Sequence, residues 1–371
     1  MKTAHCFFIV PALLTALLCS YCQAEIPSPP LQPSTGPGGS EYAHAGVITY
    51  GPYWAYGLGT GNKSNKYYLF VPDDPMPDKA PVVLFLHGWA AISLKQYETW
   101  ISHIVRKGYI VVWVQYQSDD IADNPRLSLS PSFTRKITVL WRDALTRIDS
   151  GSVLVLPEKN EWGFIKTAIV GHSAGGYLSA IVAAKAVKIY KRIPVPYAVV
   201  AVEPGPLGII PGALFGFINP DTKVVIVVGD EDTLNCTAAA TYLWNSLVQI
   251  PDENKDFLLV PSDYHGFPQQ ISNHFFPNTS GVRDTAAVDG RDFYVTFKLS
   301  VGALNCAFRG TDCEYALGNG SKEQVYMGEW SDGAPVQPMV WIEKPELLET
   351  TCQNFSLIST TTTTATPETG K

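Results

Sequence analysis

Thr167-Ala168-Ile169-Val170-Gly171-His172-Ser173-Ala174-Gly175-Gly176 is the stretch that decides the fold. Four apolar residues read as a buried strand and run directly into a glycine-framed turn. The Ala-rich stretch from Gly176 to Val187 then reads as a helix. Strand, five-residue G-x-S-x-G turn and helix follow each other with no spacer. The glycines are required because a Cβ at those positions would clash where strand and helix close on one another.

Similar strand and helix signals recur on either side. Lys66 to Val71 alternates and is expected to pair at a sheet edge, and Val82 to Leu86 is a continuous apolar run suited to a strand covered on both faces. Leu94, Tyr97, Ile101 and Ile104 form one helical stripe, and Gly108 breaks it before a strand over Tyr109 to Val114. Further strands are expected at Ala198 to Val202, Val224 to Val228 and Phe257 to Val260, with helices over Thr237 to Val248 and Asp292 to Leu304. Alternation of this kind predicts a mostly parallel, doubly wound sheet flanked by helices. About 20 residues separate the strands at 198 and 224, too few for a large lid domain.

The two ends differ from this body. Residues 1–24 read as a secretory signal peptide, with Lys2, the apolar Phe7 to Leu18 and the small-residue site before Glu25. That apolar stretch is too short to span a bilayer, and no transmembrane segment is expected elsewhere. Residues 25–42, rich in Pro, Gly and Ser, read as a linker. The domain proper is expected over 43–350, with 306–350 as a C-terminal extension and 351–371 as a Thr-rich disordered tail. Removing the signal leaves Cys236, Cys306, Cys313 and Cys352, an even set that suggests two disulfides in an exported chain. Cys306 pairs readily with Cys313, which leaves Cys236 for Cys352. Asn62, Asn235, Asn278, Asn319 and Asn354 open glycosylation sequons. The expected location is secreted or extracellular, periplasmic in a bacterium. A net charge of −7 without a basic stripe argues against nucleic acid as a partner.

In doubly wound sheets the functional groups gather at the carboxyl ends of the strands, and four suitable segments fall there. Ser173 is the candidate nucleophile; its hydroxyl needs a base beside it and amides to receive an oxyanion. His87-Gly88-Trp89 follows one strand as a tight turn. Gly229-Asp230-Glu231-Asp232 follows another and offers Asp230, Glu231 and Asp232 as the acid, with Glu203 as a further rival. Asp263-Tyr264-His265-Gly266-Phe267 follows the last strand, and His265 is the expected general base. His103 is expected on the solvent side of its helix, and His274 stands in an irregular segment. Trp89, Phe215, Phe217 and Phe267 are candidate substrate-binding residues because they flank these segments, although each could equally be core.

On Gly171-His172-Ser173-Ala174-Gly175-Gly176 and His87-Gly88-Trp89 the chain resembles the α/β-hydrolases, in particular the group of dienelactone hydrolases, chlorophyllases and cutinase-like polyester hydrolases. The likeness covers about residues 46–305; it implies an oxyanion hole from the Trp89 and Ala174 amides, and its pattern of a glycine, two residues and then the acid selects Asp232. It implies the α/β-hydrolase fold and a serine esterase that cleaves carboxylic esters, small or polymer-borne, through an acyl-enzyme and without a cofactor. A peptidase, an acyltransferase, or a catalytically silent binding module on the same fold are the alternatives. Oligomeric state and the role of the extension are not indicated.

Overall fold

The computed structural model describes residues 25–55, 58, 65–117, 131–188, 193–205, 212–281 and 286–348. The chain builds β1 (Gly46–Trp54), β2 (Lys66–Asp73), the short β3 (Lys79–Ala80), β4 (Val82–Leu86), α1 (Glu98–Arg106), β5 (Ile110–Gln115), α2 (Pro131–Asp149) and the short β6 (Leu156–Pro157). There follow β7 (Thr167–His172), α3 (Ala174–Lys188), β8 (Ala198–Val202), β9 (Lys223–Gly229), α4 (Ala238–Asn245) and β10 (Lys255–Val260). A π-helical turn over Asp292–Phe297 leads into α5 (Lys298–Arg309), and α6 (Cys313–Ala316), α7 (Lys322–Val325) and β11 (Val340–Trp341) follow.

Among the described residues, nine strands form one sheet in the order β1-β2-β5-β4-β7-β8-β9-β10-β11. From β5 to β10 every neighbour is parallel, whereas β1, β2 and β11 add antiparallel flanks. β4, β7 and β8 are buried along their whole length, which is why their sequences are unbroken apolar runs. α2, α3 and α4 cover one face with Ile137, Trp141, Tyr177, Ile181 and Leu243. α1 and α5 cover the other with Trp100, Ile101, Ile104, Leu299 and Val301. α3 brings Ala180, Ala183, Ala184 and Ala186 to the sheet, and their small size lets its axis lie close.

The winding reverses between β4 and β7. The chain steps outward from β4 to β5 and returns to β7 on the other side, which places a crevice above the carboxyl ends of β4 and β7. Leu86 and Gly171 are register partners there, so the segments after both strands start side by side.

Several expectations change. β1 takes the edge position expected of residues 66–71, which become β2 one strand further in. The Pro-rich stretch 25–42 packs on the body: Pro30, Pro37, Gly38 and Gly39 are buried. Pro27 accepts the Phe267 amide at 2.9 Å, and the Lys107 ammonium donates to the carbonyls of Gly36 and Glu41 at 2.9 and 2.8 Å. His103 is buried, not solvated. Its ring stacks on Phe297 at 4.3 Å and bonds the Pro37 carbonyl and the Tyr42 hydroxyl, and burial pushes its pKa down to about 3.

The C-terminal extension closes the sheet beside β10. Asp256, fully buried, accepts from Trp341 Nε1 at 2.9 Å, Gln324 Nε2 at 2.5 Å and the Asn319 amide at 3.1 Å. Cys306 and Cys313 are disulfide-bonded, tying α5 to α6. Cys236 is also disulfide-bonded; its expected partner, Cys352, lies outside the described residues, as do the signal segment 1–24 and the tail. No helix among the described residues is long and apolar enough to cross a membrane.

Candidate active site

Ser173 has φ +55°, a left-handed conformation that a side-chain-bearing residue adopts only when its surroundings impose it. Its amide donates to Val202 O on the neighbouring strand at 2.9 Å, and its carbonyl accepts from Tyr177 and Gly205, each at 3.1 Å. The glycines are dictated by space. A Cβ on Gly171 would lie 2.3 Å from Gly175 O, and one on Gly175 would lie 2.1 Å from Leu86 O. The turn is therefore wedged against the segment that follows β4. Gly88 abuts it so closely that a Cβ there would sit 3.2 Å from Ser173 Cβ. This places the Trp89 segment beside the serine, and Ala174, as the first residue of α3, has one of the amides that a helix leaves without an internal partner.

The histidine beside Ser173 is not the one that the sequence suggested. His274 Nε2 lies 2.9 Å from Ser173 Oγ, and His274 Nδ1 lies 2.7 Å from Asp232 Oδ2. Ser173, Asp232 and His274 are 8%, 4% and 6% exposed, so the chain of bonds runs in a nearly dry setting. His265 instead sits in an exposed hairpin that leaves β10, pairs with itself across Asp263 and Gln270, and then returns. Its Nε2 bonds Asp332 Oδ2 of the C-terminal extension at 2.8 Å. Trp330 Nε1 and the Gln337 amide hold the hairpin's Asp263 at 3.2 and 2.8 Å. The hairpin is thus committed to the extension. The chain returns through Asn273, bridged to Glu231 beside the acid loop, and so delivers His274 to the serine.

The rival acids separate by their partners. Asp232 Oδ1 accepts the amides of Leu234 and Asn235 at 2.8 and 2.9 Å, which aims Oδ2 at His274. Burial works to raise the Asp232 pKa, but the hydrogen bond and charge of His274, with bonds from Glu203 and Asn235, outweigh it and hold it at about 2. Asp230 faces outward and bonds the Ser262 amide and hydroxyl at 2.9 and 2.7 Å. Glu203 is fully buried, takes the Gly229 amide at 2.6 Å, and is pushed well above the ordinary carboxyl range by burial and by the charge of Asp232. Its surroundings therefore favour the protonated form beside the Asp232 carboxylate. Glu203, Asp232 and His274 offer ligand atoms within 4.8 Å of one another, and both His274 nitrogens are engaged by Asp232 and Ser173.

Of the expected pocket residues, Phe215 is core: it is fully buried and edge-on to Tyr177. Phe267 is 70% exposed on the His265 hairpin, against Pro27. Phe217 is 37% exposed, and Trp89 is half-buried beside the turn. The structure adds Asn235 to the site: its Nδ2 donates to Glu203 O at 3.1 Å and lies 3.5 Å from Ser173 Oγ. Only its position three residues after Asp232 could have marked it.

No curated protein matches this chain. The segment from β2 to just beyond β8 contains both the His87-Gly88-Trp89 segment and the Ser173 turn, and these residues, 65–206, match the family described as chlorophyllase, a member of the α/β-hydrolase-like esterase group.

Proposed function

We propose that this chain is an exported serine hydrolase of the α/β-hydrolase fold that cleaves carboxylic esters through an acyl-enzyme. The observation that carries the reading is the continuous line from Ser173 Oγ through His274 to Asp232, at 2.9 and 2.7 Å. Ser173 Oγ attacks the ester carbonyl carbon while its proton passes to His274 Nε2. The imidazolium so formed keeps its Nδ1–H on the Asp232 carboxylate, which stabilises its charge and fixes its tautomer. The amides of Trp89 and Ala174 receive the oxyanion, each worth about 3 to 4 kcal/mol in comparable sites. Collapse breaks the bond to the alcohol oxygen, and His274 returns the proton to the leaving alkoxide. Water then attacks the acyl-enzyme by the same route, releasing the acid and restoring Ser173.

Export is supported by the bridged Cys306, Cys313 and Cys236, since disulfides persist in oxidising compartments. In a glycosylating host Asn319, which is exposed, is the described sequon open to a glycan, whereas Asn278 is buried and Asn235 faces the catalytic serine. Asn62 and Asn354 lie outside the described residues. The test is hydrolysis of p-nitrophenyl acetate, butyrate, octanoate and palmitate by the wild type and Ser173→Ala, with fluorophosphonate labelling in parallel. Serine-dependent turnover supports the esterase. Folded protein that neither turns over nor labels overturns it.

A further inference from the structure

Two buried polar side chains beside the serine take no part in the proposed proton transfers. Tyr97 is fully buried at the start of α1, and His172 is the residue immediately before Ser173, 2% exposed. The Tyr97 hydroxyl lies 2.9 Å from the Gly88 amide and 2.9 Å from His172 Nδ1. His172 Nε2 lies 2.9 Å from the His274 carbonyl.

The chemistry of the ends fixes the direction of every bond. Gly88 N–H can only donate, so the phenol oxygen accepts from it. The His274 carbonyl can only accept, so His172 carries its proton on Nε2. A neutral imidazole then accepts at Nδ1, and the Tyr97 O–H is the donor that meets it. Burial, with the neighbouring His274 adding to it, pushes the His172 pKa down to about 3, so the ring is neutral throughout the working range of an esterase. Each donor in the line has one acceptor. The line begins at the amide segment that includes Trp89, passes through the residue before the nucleophile, and ends on the backbone of the base.

We propose that Tyr97 and His172 are positioning residues: one directed bridge that holds the Gly88–Trp89 segment and His274 in a common frame around Ser173. The inference rests on the esterase reading given above. Neither side chain touches substrate; each acts through a backbone group of a catalytic segment. The physical need is plain, because His274 arrives on a long return from the hairpin and Gly88 on a turn after β4. No covalent or strand pairing joins these two segments directly among the described residues, and a misplacement of about 1 Å costs on the order of 10²-fold in rate.

The experiment compares kcat and KM for p-nitrophenyl butyrate, fluorophosphonate labelling rate and melting temperature across His172→Leu, His172→Gln, Tyr97→Phe and the double variant Tyr97→Phe/His172→Leu. The bridge predicts that His172→Leu and Tyr97→Phe each lower kcat and the labelling rate about 10²-fold with KM little changed. His172→Gln, whose amide can both accept and donate, recovers at least a tenth of wild-type kcat. The double variant is no worse than the poorer single one, as expected for two parts of one link. The inference is overturned if folded Tyr97→Phe and His172→Gln retain wild-type kcat and His172→Leu does too. It is equally overturned if the two losses multiply in the double variant, or if only KM moves. Tyr97→Phe preserves ring volume, so it decides the matter even where His172→Leu fails to fold. A wild type without Ser173-dependent turnover would instead remove the esterase reading itself.

Discussion

Replacing Asp232 by asparagine changes no volume, yet the surroundings dictate what it does. Oδ1 of Asp232 is held by the two amides of Leu234 and Asn235. In Asp232→Asn the carbonyl oxygen must stay there, because an NH₂ group cannot accept those bonds. The NH₂ is then presented to His274 Nδ1, which must turn acceptor and move its proton to Nε2. That is the nitrogen facing Ser173 Oγ at 2.9 Å, so the base is lost without any change of position. The expected loss is about 10⁴-fold in kcat, or about 5 kcal/mol of transition-state stabilisation. Glu203→Gln is the matched control. Its carbonyl keeps the Gly229 amide, and its NH₂ takes the place of the other carboxyl oxygen. It should stay within a few-fold of wild type. Steady-state hydrolysis of p-nitrophenyl butyrate, on protein whose melting temperature is checked, reads both. A crippled Glu203→Gln beside a near-normal Asp232→Asn would refute the assignment and the argument behind it.

Other outcomes follow from the same contacts. Burial lowers the pKa of His87 to about 4 and of His103 and His172 to about 3, below the ordinary value of 6.5. Their stabilisation is complete above pH 6.5 and is lost as pH falls toward 3, so urea unfolding at pH 5 should show about 2 kcal/mol less stability per histidine than at pH 8. Equal stability at the two pH values would contradict this. Gly175→Ala places its Cβ 2.1 Å from Leu86 O and 2.5 Å from His87 O, both backbone atoms. It should abolish fluorophosphonate labelling and lower the melting temperature, and a normally labelled, normally stable variant would show that the turn is looser than described. Cys306→Ser/Cys313→Ser opens a short loop and should cost about 2 to 3 kcal/mol in denaturant unfolding while kcat is unchanged.

The parallel centre of the sheet was legible because each buried strand is a run of apolar residues ending at a turn, and the serine was legible because its turn needs glycines in a fixed pattern. The place after β9 narrowed the acid to three neighbours, and the spacing of the family resembled singled out Asp232. What could not be read was the return path after β10. Base position depends on which of two histidines the loop brings back, and that is decided by bonds from Asp332, Trp330 and Gln337, residues more than sixty positions further on. A hint lay in the neighbours: His274 precedes Phe275-Phe276, an apolar context that buries it, whereas His265 is flanked by Tyr264 and Gly266 in a turn. The burial of residues 25–42 was hidden for a related reason. Proline and glycine mark an absence of regular structure, and an irregular segment can still be bound along its length by side chains such as those of His103 and Lys107.

The central claim is that His274 serves Ser173, and the most direct measurement is the rate of fluorophosphonate labelling and ester turnover in His274→Ala beside His265→Ala. The account predicts that His274→Ala loses several orders of magnitude in both, while His265→Ala, which breaks an exposed pair with Asp332 and a ring contact with Trp330, stays close to wild type. The reverse pattern, an active His274→Ala and a silent but folded His265→Ala, would contradict it.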